Sequence, residues 1–210
     1  MPERALPTLI VFSDLTRVPE ALMLARFGAL AEQAKPQSVL FTVRDYSLAA
    51  RARLALLSEL SALARRSGQL FGVAERADLA QLTGAHGLHL PEHGLAERDA
   101  RAYLGPGVIL SRACHEPQRA ASLVSDMLLL SPIFAPRKGR SALGLTVLER
   151  VTREVRSASR VAPAVYALGA VDAGNAALCL AAGAAGVAVI GAALALDHVP
   201  LLRALEISRR

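Results

Sequence analysis

One pattern repeats along nearly the whole sequence: a short apolar run followed by an amphipathic segment. The apolar runs have no polar face, which is typical of parallel strands covered by helices on both sides of a sheet. Segments between them, such as EALMLARFGALAEQA, carry apolar residues at helical spacing. Alternating strands and helices predict parallel βα units. The runs are TLIVFSD (8–14), SVLFTVRD (38–45), QLFGVAE (69–75), GLHLP (87–91), VILSRAC (108–114), MLLLSPIF (127–134), AVYALGAV (164–171) and GVAVIGAAL (186–194).

Eight βα units predict a (β/α)8 TIM barrel that forms a single domain over residues 1–210. The alternative is a doubly wound open sheet, which usually has fewer strands and a glycine-rich phosphate loop after the first one. The segment FSDLTRVPE has no such turn, which favours the barrel. The carboxyl ends of barrel strands form the catalytic face. We therefore expect Arg44 and Tyr46, which follow the second run, to point toward a site, unless Arg44 only pairs with Asp45 or another acid at a strand end.

The charge of the chain favours small anionic ligands over nucleic acid. The formal net charge is +6, but the basic residues are scattered through predicted helices and no aromatic residues are interleaved with a basic cluster. The positive charge is more consistent with attraction of phosphorylated small molecules than with binding of nucleic acid. Cys114 and Cys179 form no CxxC pair, so we expect neither a disulfide framework nor a zinc site, and reduced thiols fit a cytoplasmic protein.

Two apolar segments raise the question of a membrane. The beginning, MPERALPTLIVFSD, has acidic residues on both sides of its short apolar run, which is wrong for a signal peptide. The stretch Ala176–Leu196 carries no charge and is long enough to span a bilayer. Alanine and glycine dominate it, however, and GAAG separates a helix-like half from the β-branched VAVI. We expect helix, turn and strand, and no membrane partner.

The predicted strand ends carry the residues that can do chemistry. Several are cations that suit a phosphate or another anion. After the seventh and eighth strands, where many barrels bind phosphate through backbone N–H groups and a helix N-terminus, the sequence offers Gly169, Ala170 and Gly191. The strand-end candidates are, in order, Asp14, Arg44, Asp45, Tyr46, Glu75, Arg76, His89, Arg112, His115, Gly169, Ala170 and Gly191.

From about Leu9 to Leu194 the order and spacing of these pieces resembles the superfamily of thiamine phosphate synthase and the thiazole tautomerase TenI. The matching pieces are VRD, ERADLAQLTGAHGLHLP, SPIFAPRKG, ALGAV and GAAGVAVIGAAL. The resemblance implies a barrel that binds a small phosphorylated thiazole and commonly pairs as a homodimer. It also implies that the thiazole phosphate is surrounded by Gly169, Ala170, Ile190 and Gly191.

The sequence departs from the synthase branch at the second substrate. That branch ends its second strand with a Gln-x-Arg-x-Lys pattern for pyrophosphate, and follows its third and fourth strands with residues that serve magnesium. Magnesium requires oxygen ligands in near-octahedral geometry, so these losses argue against the synthase, although Glu75 remains able to bind Mg²⁺. The positions here are Thr42, Arg44 and Tyr46 after strand two, Ala74 and Glu75 after strand three, and Gly94 after strand four.

The segment after the fifth strand favours the TenI branch. That branch has a Gly-Arg-Ser-x-His pattern, and SRACH ends here at His115. The resemblance implies that His115 is the acid/base, a role that histidine fills near neutral pH. Without the resemblance, His115 could equally be a loop or N-cap residue before EPQRAA. His89 is expected to be a structural residue lining the barrel, and His198 a surface residue. In APRKGRS, Lys138 is expected to contact the phosphate or carboxylate of the substrate, the alternative being a solvated loop.

These observations predict a TenI-like thiazole tautomerase that needs no cofactor. Arg44 and Lys138 would hold the carboxylate or phosphate while His115 moves the proton. Two alternatives stay open. One is thiamine phosphate synthase, which transfers a pyrimidine to thiazole phosphate with Mg²⁺, and the other is a non-catalytic protein that binds thiazole phosphate.

Overall fold

The computed structural model describes residues 5–137, 139–158 and 162–209. It contains eight parallel strands that close into a barrel in the order β1-β2-β3-β4-β5-β6-β7-β8. The (β/α)8 barrel predicted from the sequence is therefore confirmed. The strands are β1 (Leu9–Phe12), β2 (Val39–Val43), β3 (Leu70–Ala74), β4 (Gly87–Leu90), β5 (Ile109–Cys114), β6 (Met127–Leu130), β7 (Ala164–Leu168) and β8 (Gly186–Val189).

The helices follow the amphipathic segments and form the outer layer. Directly after β5 and β8 the chain forms short 3-10 helices, Pro117–Ser122 and Gly191–Leu194, and an α-helix follows the second of these. The helix after β5 that the alternative for His115 assumed is therefore present, in the tighter 3-10 form. The α-helices are α1 (Glu20–Gln33), α2 (Ala50–Ser67), α3 (Ala77–Thr83), α4 (Glu97–Leu104), α5 (Gly144–Ala158), α6 (Ala176–Ala181) and α7 (Val199–Ala204).

Side chains point alternately to the two faces of each strand, and this produces two apolar cores, one inside the barrel and one between the barrel and the helices. In β1, Leu9 and Val11 face the helices, whereas Ile10 and Phe12 face the barrel interior. The interior core is small, and its buried members are Ile10, Phe12, Leu40, Ile109, Met127, Leu129, Tyr166 and Ala188. Few aromatic side chains are needed because the helices pack closely on the strands through leucine, valine and alanine.

The long uncharged stretch Ala176–Leu196 divides as predicted from its composition. It forms α6, a turn, β8 and a 3-10 helix. Within the described ranges, no helix combines the length and the apolar character needed to cross a membrane.

Candidate functional site

A cavity of about 910 Å³ opens at the carboxyl ends of the strands, and we call it the mouth cavity. All eight strands, or the loops directly after them, contribute to its wall. The residues predicted to bind a ligand or to take part in chemistry line it, namely Arg44, Tyr46, Glu75, His115, Gly169, Ala170, Ile190 and Gly191. Of the remaining strand-end candidates, His89 lines the cavity, whereas Asp14, Asp45, Arg76 and Arg112 do not. Lys138, the remaining prediction, lies outside the described residues.

At the β1 and β2 ends, an acid holds two arginines at the cavity wall. The Asp14 carboxylate accepts hydrogen bonds from Nε of Arg17 at 3.1 Å and from the Thr16 hydroxyl at 2.5 Å. Nη2 of Arg44 lies 3.8 Å from the same carboxylate, and its guanidinium lies 5.6 Å from the centre of the Phe12 ring. Burial alone would raise the pKa of Asp14, but the hydrogen bonds from Thr16 and Arg17 outweigh it and hold that pKa below its usual value.

The alternative for Arg44, an ion pair with a strand-end acid, is therefore correct in kind, but the partner is Asp14 and not Asp45. The Asp45 side chain is buried and accepts hydrogen bonds from the Ser13 hydroxyl and from the Leu15 N–H, the latter at 2.6 Å. Arg44 reaches the cavity while also neutralising Asp14, so the two functions are compatible.

Tyr46 and Glu75 lie at the rim beyond β2 and β3. Tyr46 is half exposed, and Arg53 lies 5.9 Å from its ring centre. Burial, and the nearby Glu75 carboxylate, raise the pKa of Tyr46, so it is a neutral hydroxyl at physiological pH. Glu75 is exposed and has a left-handed backbone with φ of 65°. Its N–H donates to the His89 carbonyl at 2.9 Å, which fixes the turn that places the carboxylate at the rim.

His115 is fixed at the end of β5 by two neighbouring strand ends. Its Nδ1 lies 3.0 Å from both the hydroxyl and the carbonyl oxygen of Ser131, the residue after β6. Its backbone N–H donates to Oε1 of Glu92 at 2.6 Å. No hydrogen bond joins its Nε2 to another residue of the described ranges. The ring is therefore held at one nitrogen and leaves the other for a ligand, which is the arrangement that proton transfer requires.

Two other strand-end residues have structural roles. Arg112 is not a ligand-binding cation: its side chain is 5% exposed, and it pairs with Glu97 at 3.0 Å while donating to the Pro91 and Leu95 carbonyls. His89 lines the barrel as predicted, with Nδ1 2.9 Å from the Ser111 hydroxyl.

The predicted phosphate cradle lies at the ends of β7 and β8. Gly169 has φ of 111°, and a Cβ there would lie 2.9 Å from backbone atoms of Pro132 and Ile133, so only glycine fits without strain. Ala170 also has a positive φ, of 54°. The segment that begins at Gly191 is a four-residue 3-10 helix, so the expected full helix N-terminus is absent there. The cradle therefore depends on local backbone and on side chains nearby.

Sequence reasoning did not single out several charged side chains of the mouth cavity, among them Arg17, Glu92 and Arg140. Arg17 and Glu92 lie in the loops after β1 and β4, and Arg140 lies in the β6–α5 loop, two positions after Lys138 in the sequence. Glu92 places a carboxylate in the loop after β4. The alignment with the synthase branch placed only Gly94 at the magnesium position in this loop. Ligand atoms of Glu92, His93 and Glu116 lie within 4.8 Å of one another, a spacing that a metal ion could bridge. The first two of these also line the mouth cavity.

Comparison with known proteins gives a consistent result. The family model described as thiamine monophosphate synthase, TMP-TENI, matches residues 19–193. A thiamine-phosphate synthase of Gloeobacter violaceus is 31% identical over 163 residues, which cover 75% of this chain but only 46% of that protein. One from Thermus thermophilus is 35% identical over 150 residues, 69% of each chain. A solved thiamine phosphate pyrophosphorylase from Pyrococcus furiosus superposes with a TM-score of 0.77 at 26% identity, covering 95% of both chains.

Proposed function

The chain belongs to the thiamine monophosphate synthase family, and we propose that it joins a phosphorylated thiazole to a pyrimidine diphosphate in the mouth cavity. Relatives that carry the name thiamine-phosphate synthase support this reaction over the tautomerase expected from the motifs. The match spans less than half of the Gloeobacter protein, so the proposal concerns the barrel alone.

The observation that carries the proposal is that the mouth cavity has two different polar ends. In a closed ring of eight strands, the ends of β3 and β4 lie across the barrel from those of β7 and β8. One end offers backbone at Gly169 and Gly191, and the other offers the carboxylates of Glu75 and Glu92. A volume of about 910 Å³ is large for a single small ligand, since ligand sites commonly measure about 300–1,000 Å³. Two ends and this volume suit two substrates.

The thiazole phosphate would bind at the β7 and β8 end, and the pyrimidine diphosphate at the opposite end beside Arg44. The reaction forms a bond from the thiazole nitrogen to the pyrimidine methylene carbon and breaks the bond from that carbon to the diphosphate. The cavity has to orient the two reactants and to stabilise the leaving diphosphate. Arg44, whose guanidinium is fixed by Asp14 and Phe12, supplies one positive charge for that purpose.

The residues present also fit a magnesium ion in their donor chemistry. Glu75 and Glu92 offer carboxylate oxygens after adjacent strands, and Mg²⁺ prefers oxygen ligands. Oε1 of Glu92 accepts hydrogen bonds from the N–H groups of His115 and Glu116, so Oε2, which lies 3.7 Å from Nε2 of His93, is the oxygen that would be available to an ion. When bound, the metal would supply further neutralisation of the diphosphate.

A second candidate, the tautomerase, is favoured by the geometry of His115. Aromatising a thiazole tautomer requires a group that takes a proton from one atom of the thiazole system and returns a proton to another atom. The product is the aromatic carboxylate. His115 has Nδ1 held by Ser131, and its Nε2 makes no hydrogen bond to another residue of the described ranges. This reaction would need only the thiazole phosphate.

A single chromatographic time course separates the two candidates. The protein is incubated with thiazole phosphate and pyrimidine diphosphate, with and without Mg²⁺, and separately with the non-aromatic thiazole phosphate tautomer alone. We expect thiamine phosphate to form only with both substrates and Mg²⁺, and Glu75→Gln to slow it by about tenfold or more. Glu59→Gln, on the exposed face of α2, is the matched control and keeps the full rate.

Aromatised thiazole formed from the tautomer alone, and lost in His115→Ala, would replace the synthase by the tautomerase. If neither product forms while thiazole phosphate still binds, the catalytic proposal is wrong and the chain is a thiazole-phosphate-binding protein.

A further inference from the structure

Arg17 occupies a position over the β8 end of the mouth cavity that no motif predicted. It lies in the β1–α1 loop, and its Nη1 is 3.3 Å from the point that a Cβ of residue 191 would occupy. Because Gly191 has no side chain, the guanidinium can lie against the backbone at the end of β8. Arg17 and Gly191 both line the mouth cavity.

Asp14 fixes the Arg17 guanidinium through a hydrogen bond from Nε of Arg17. Nε of Arg17 donates to Oδ2 of Asp14 at 3.1 Å, and the Arg17 N–H donates to the Asp14 carbonyl at 3.1 Å. The Asp14 side chain is 11% exposed, and Thr16 donates to it as well, so the acceptor is itself held in place. The contact with Asp14 uses Nε and leaves the outer nitrogens of Arg17, which can donate two parallel hydrogen bonds to a phosphate.

An acid in the wall of the mouth cavity favours a cation beside a bound phosphate. Asp172, in the loop after β7, also lines the wall there. Its carboxylate accepts a hydrogen bond from the Gly174 N–H at 2.8 Å, which belongs to its own loop. A phosphate beside this acid needs a compensating positive charge. Arg44, the other arginine fixed by Asp14, follows β2 and lies on the opposite side of β1 from Gly191.

From these contacts we infer that Arg17, positioned by Asp14, binds the phosphate group of the ligand at the Gly169 and Gly191 end. The inference rests on the proposed function for the identity of that ligand, a phosphorylated thiazole. It adds a charged side chain to the backbone of Gly169 and Gly191, and it makes the phosphate a specificity determinant.

The test compares two ligands that differ only in the phosphate. Dissociation constants for hydroxyethylthiazole phosphate and for the free hydroxyethylthiazole alcohol are measured by calorimetry. The dissociation constant of the alcohol divided by that of the phosphate reports recognition of the phosphate group. A general loosening of the cavity would weaken both ligands and would not change this ratio. We expect Arg17→Gln to reduce this ratio by about tenfold or more, and Arg17→Lys to reduce it less because it keeps the charge but loses the planar fork.

Three further variants sharpen the test. Arg98→Gln, on the exposed face of α4, is the matched control and keeps the wild-type ratio. Gly191→Ala places a methyl group against Nη1 of Arg17 and should reduce the ratio in the same direction. Asp14→Asn removes a negative charge, so electrostatics alone would strengthen phosphate binding, whereas loss of positioning weakens it. A higher ratio in Asp14→Asn would overturn the role assigned to Asp14.

Inorganic phosphate is the second probe, and it separates the inference from the proposed function. If the wild type binds thiazole phosphate and Arg17→Gln leaves the ratio unchanged, the inference is wrong and the function stands. If thiazole phosphate does not bind but inorganic phosphate does, and Arg17→Gln weakens it, the anion site stands and the proposed function is wrong. If neither binds, both are wrong.

Discussion

Arg44 and Asp45 are neighbours in sequence, but they serve different parts of the molecule. Arg44 faces the mouth cavity, whereas the buried Asp45 carboxylate accepts the Leu15 N–H and the Ser13 hydroxyl. A buried carboxylate with two donors holds a loop more firmly than a neutral acceptor would. Asp45 therefore shapes the β1–α1 loop, which carries the Asp14 and Arg17 pair. A charged residue at a strand end can thus act on the site through the adjacent loop.

His89 gives a residue-scale prediction for stability against pH. Burial, together with the charges of Arg44, Arg112 and His115, lowers the pKa of His89 to about 3. In the unfolded chain His89 takes up a proton below about pH 6.5, whereas in the folded protein it stays neutral until about pH 3. The free energy of unfolding therefore falls as the pH drops through this window, by about 2 kcal/mol between pH 6.5 and pH 5.

Urea unfolding at pH 7.5 and pH 5 measures this contribution. His89→Gln removes the titrating group, so its loss of stability between the two pH values should be smaller than that of the wild type. His93→Gln is the control, because His93 is 73% exposed at the rim. Equal losses in the wild type and His89→Gln would show that His89 does not carry the effect.

At the scale of elements, the seam between β8 and β1 closes the barrel and leaves no space for a side chain at Gly186. A Cβ there would clash with the Thr8 carbonyl oxygen and would lie 2.5 Å from the Tyr166 ring. The Tyr166 hydroxyl donates to the Pro7 carbonyl, so the ring cannot move freely. We expect Gly186→Ala to lower the free energy of unfolding by about 3 kcal/mol, since the clash is partly with backbone.

Gly107→Ala is the matched control for this prediction. Gly107 has no atom within 4 Å of the position of its added Cβ, and its φ is not in the left-handed region. Its stability in urea should remain within about 0.5 kcal/mol of the wild type. A similar loss in both variants would mean that the seam is not the cause.

The same elements show how far sequence reasoning reaches. Continuous apolar runs located all eight strands, because a strand buried on both faces must be apolar throughout. The ends of the runs located the strand ends less closely: the apolar run GVAVIGAAL extends to residue 194, but β8 ends at Val189 and a 3-10 helix follows. An apolar run alone does not distinguish a buried strand from a short buried helix. His198 was expected at the surface but is fully buried, with Nε2 3.1 Å from the Ala193 carbonyl oxygen.

The site was predictable where it depends on strand ends and unpredictable where it depends on loop paths. Arg44 and His115 follow strands directly, so the barrel geometry places them at the mouth cavity. Arg17 and Glu92 lie farther along their loops, and their positions depend on hydrogen bonds such as those to Asp14 and from His115. The spacing of Asp14 and Arg17, three residues apart, was the available signal, but it does not indicate which way the pair faces.

For the whole molecule, the wall of the mouth cavity is drawn from all eight strand ends, so the site exists only when the barrel is closed. A ligand bound there stabilises the entire fold and not one segment. At a concentration of 100 times its dissociation constant, thiazole phosphate should raise the free energy of unfolding by about 2.7 kcal/mol in one cooperative transition. The free alcohol at the same concentration is the control and should have a smaller effect. Thermal unfolding followed by calorimetry checks this, and two transitions of which the ligand shifts only one would contradict the coupling of the cavity to ring closure.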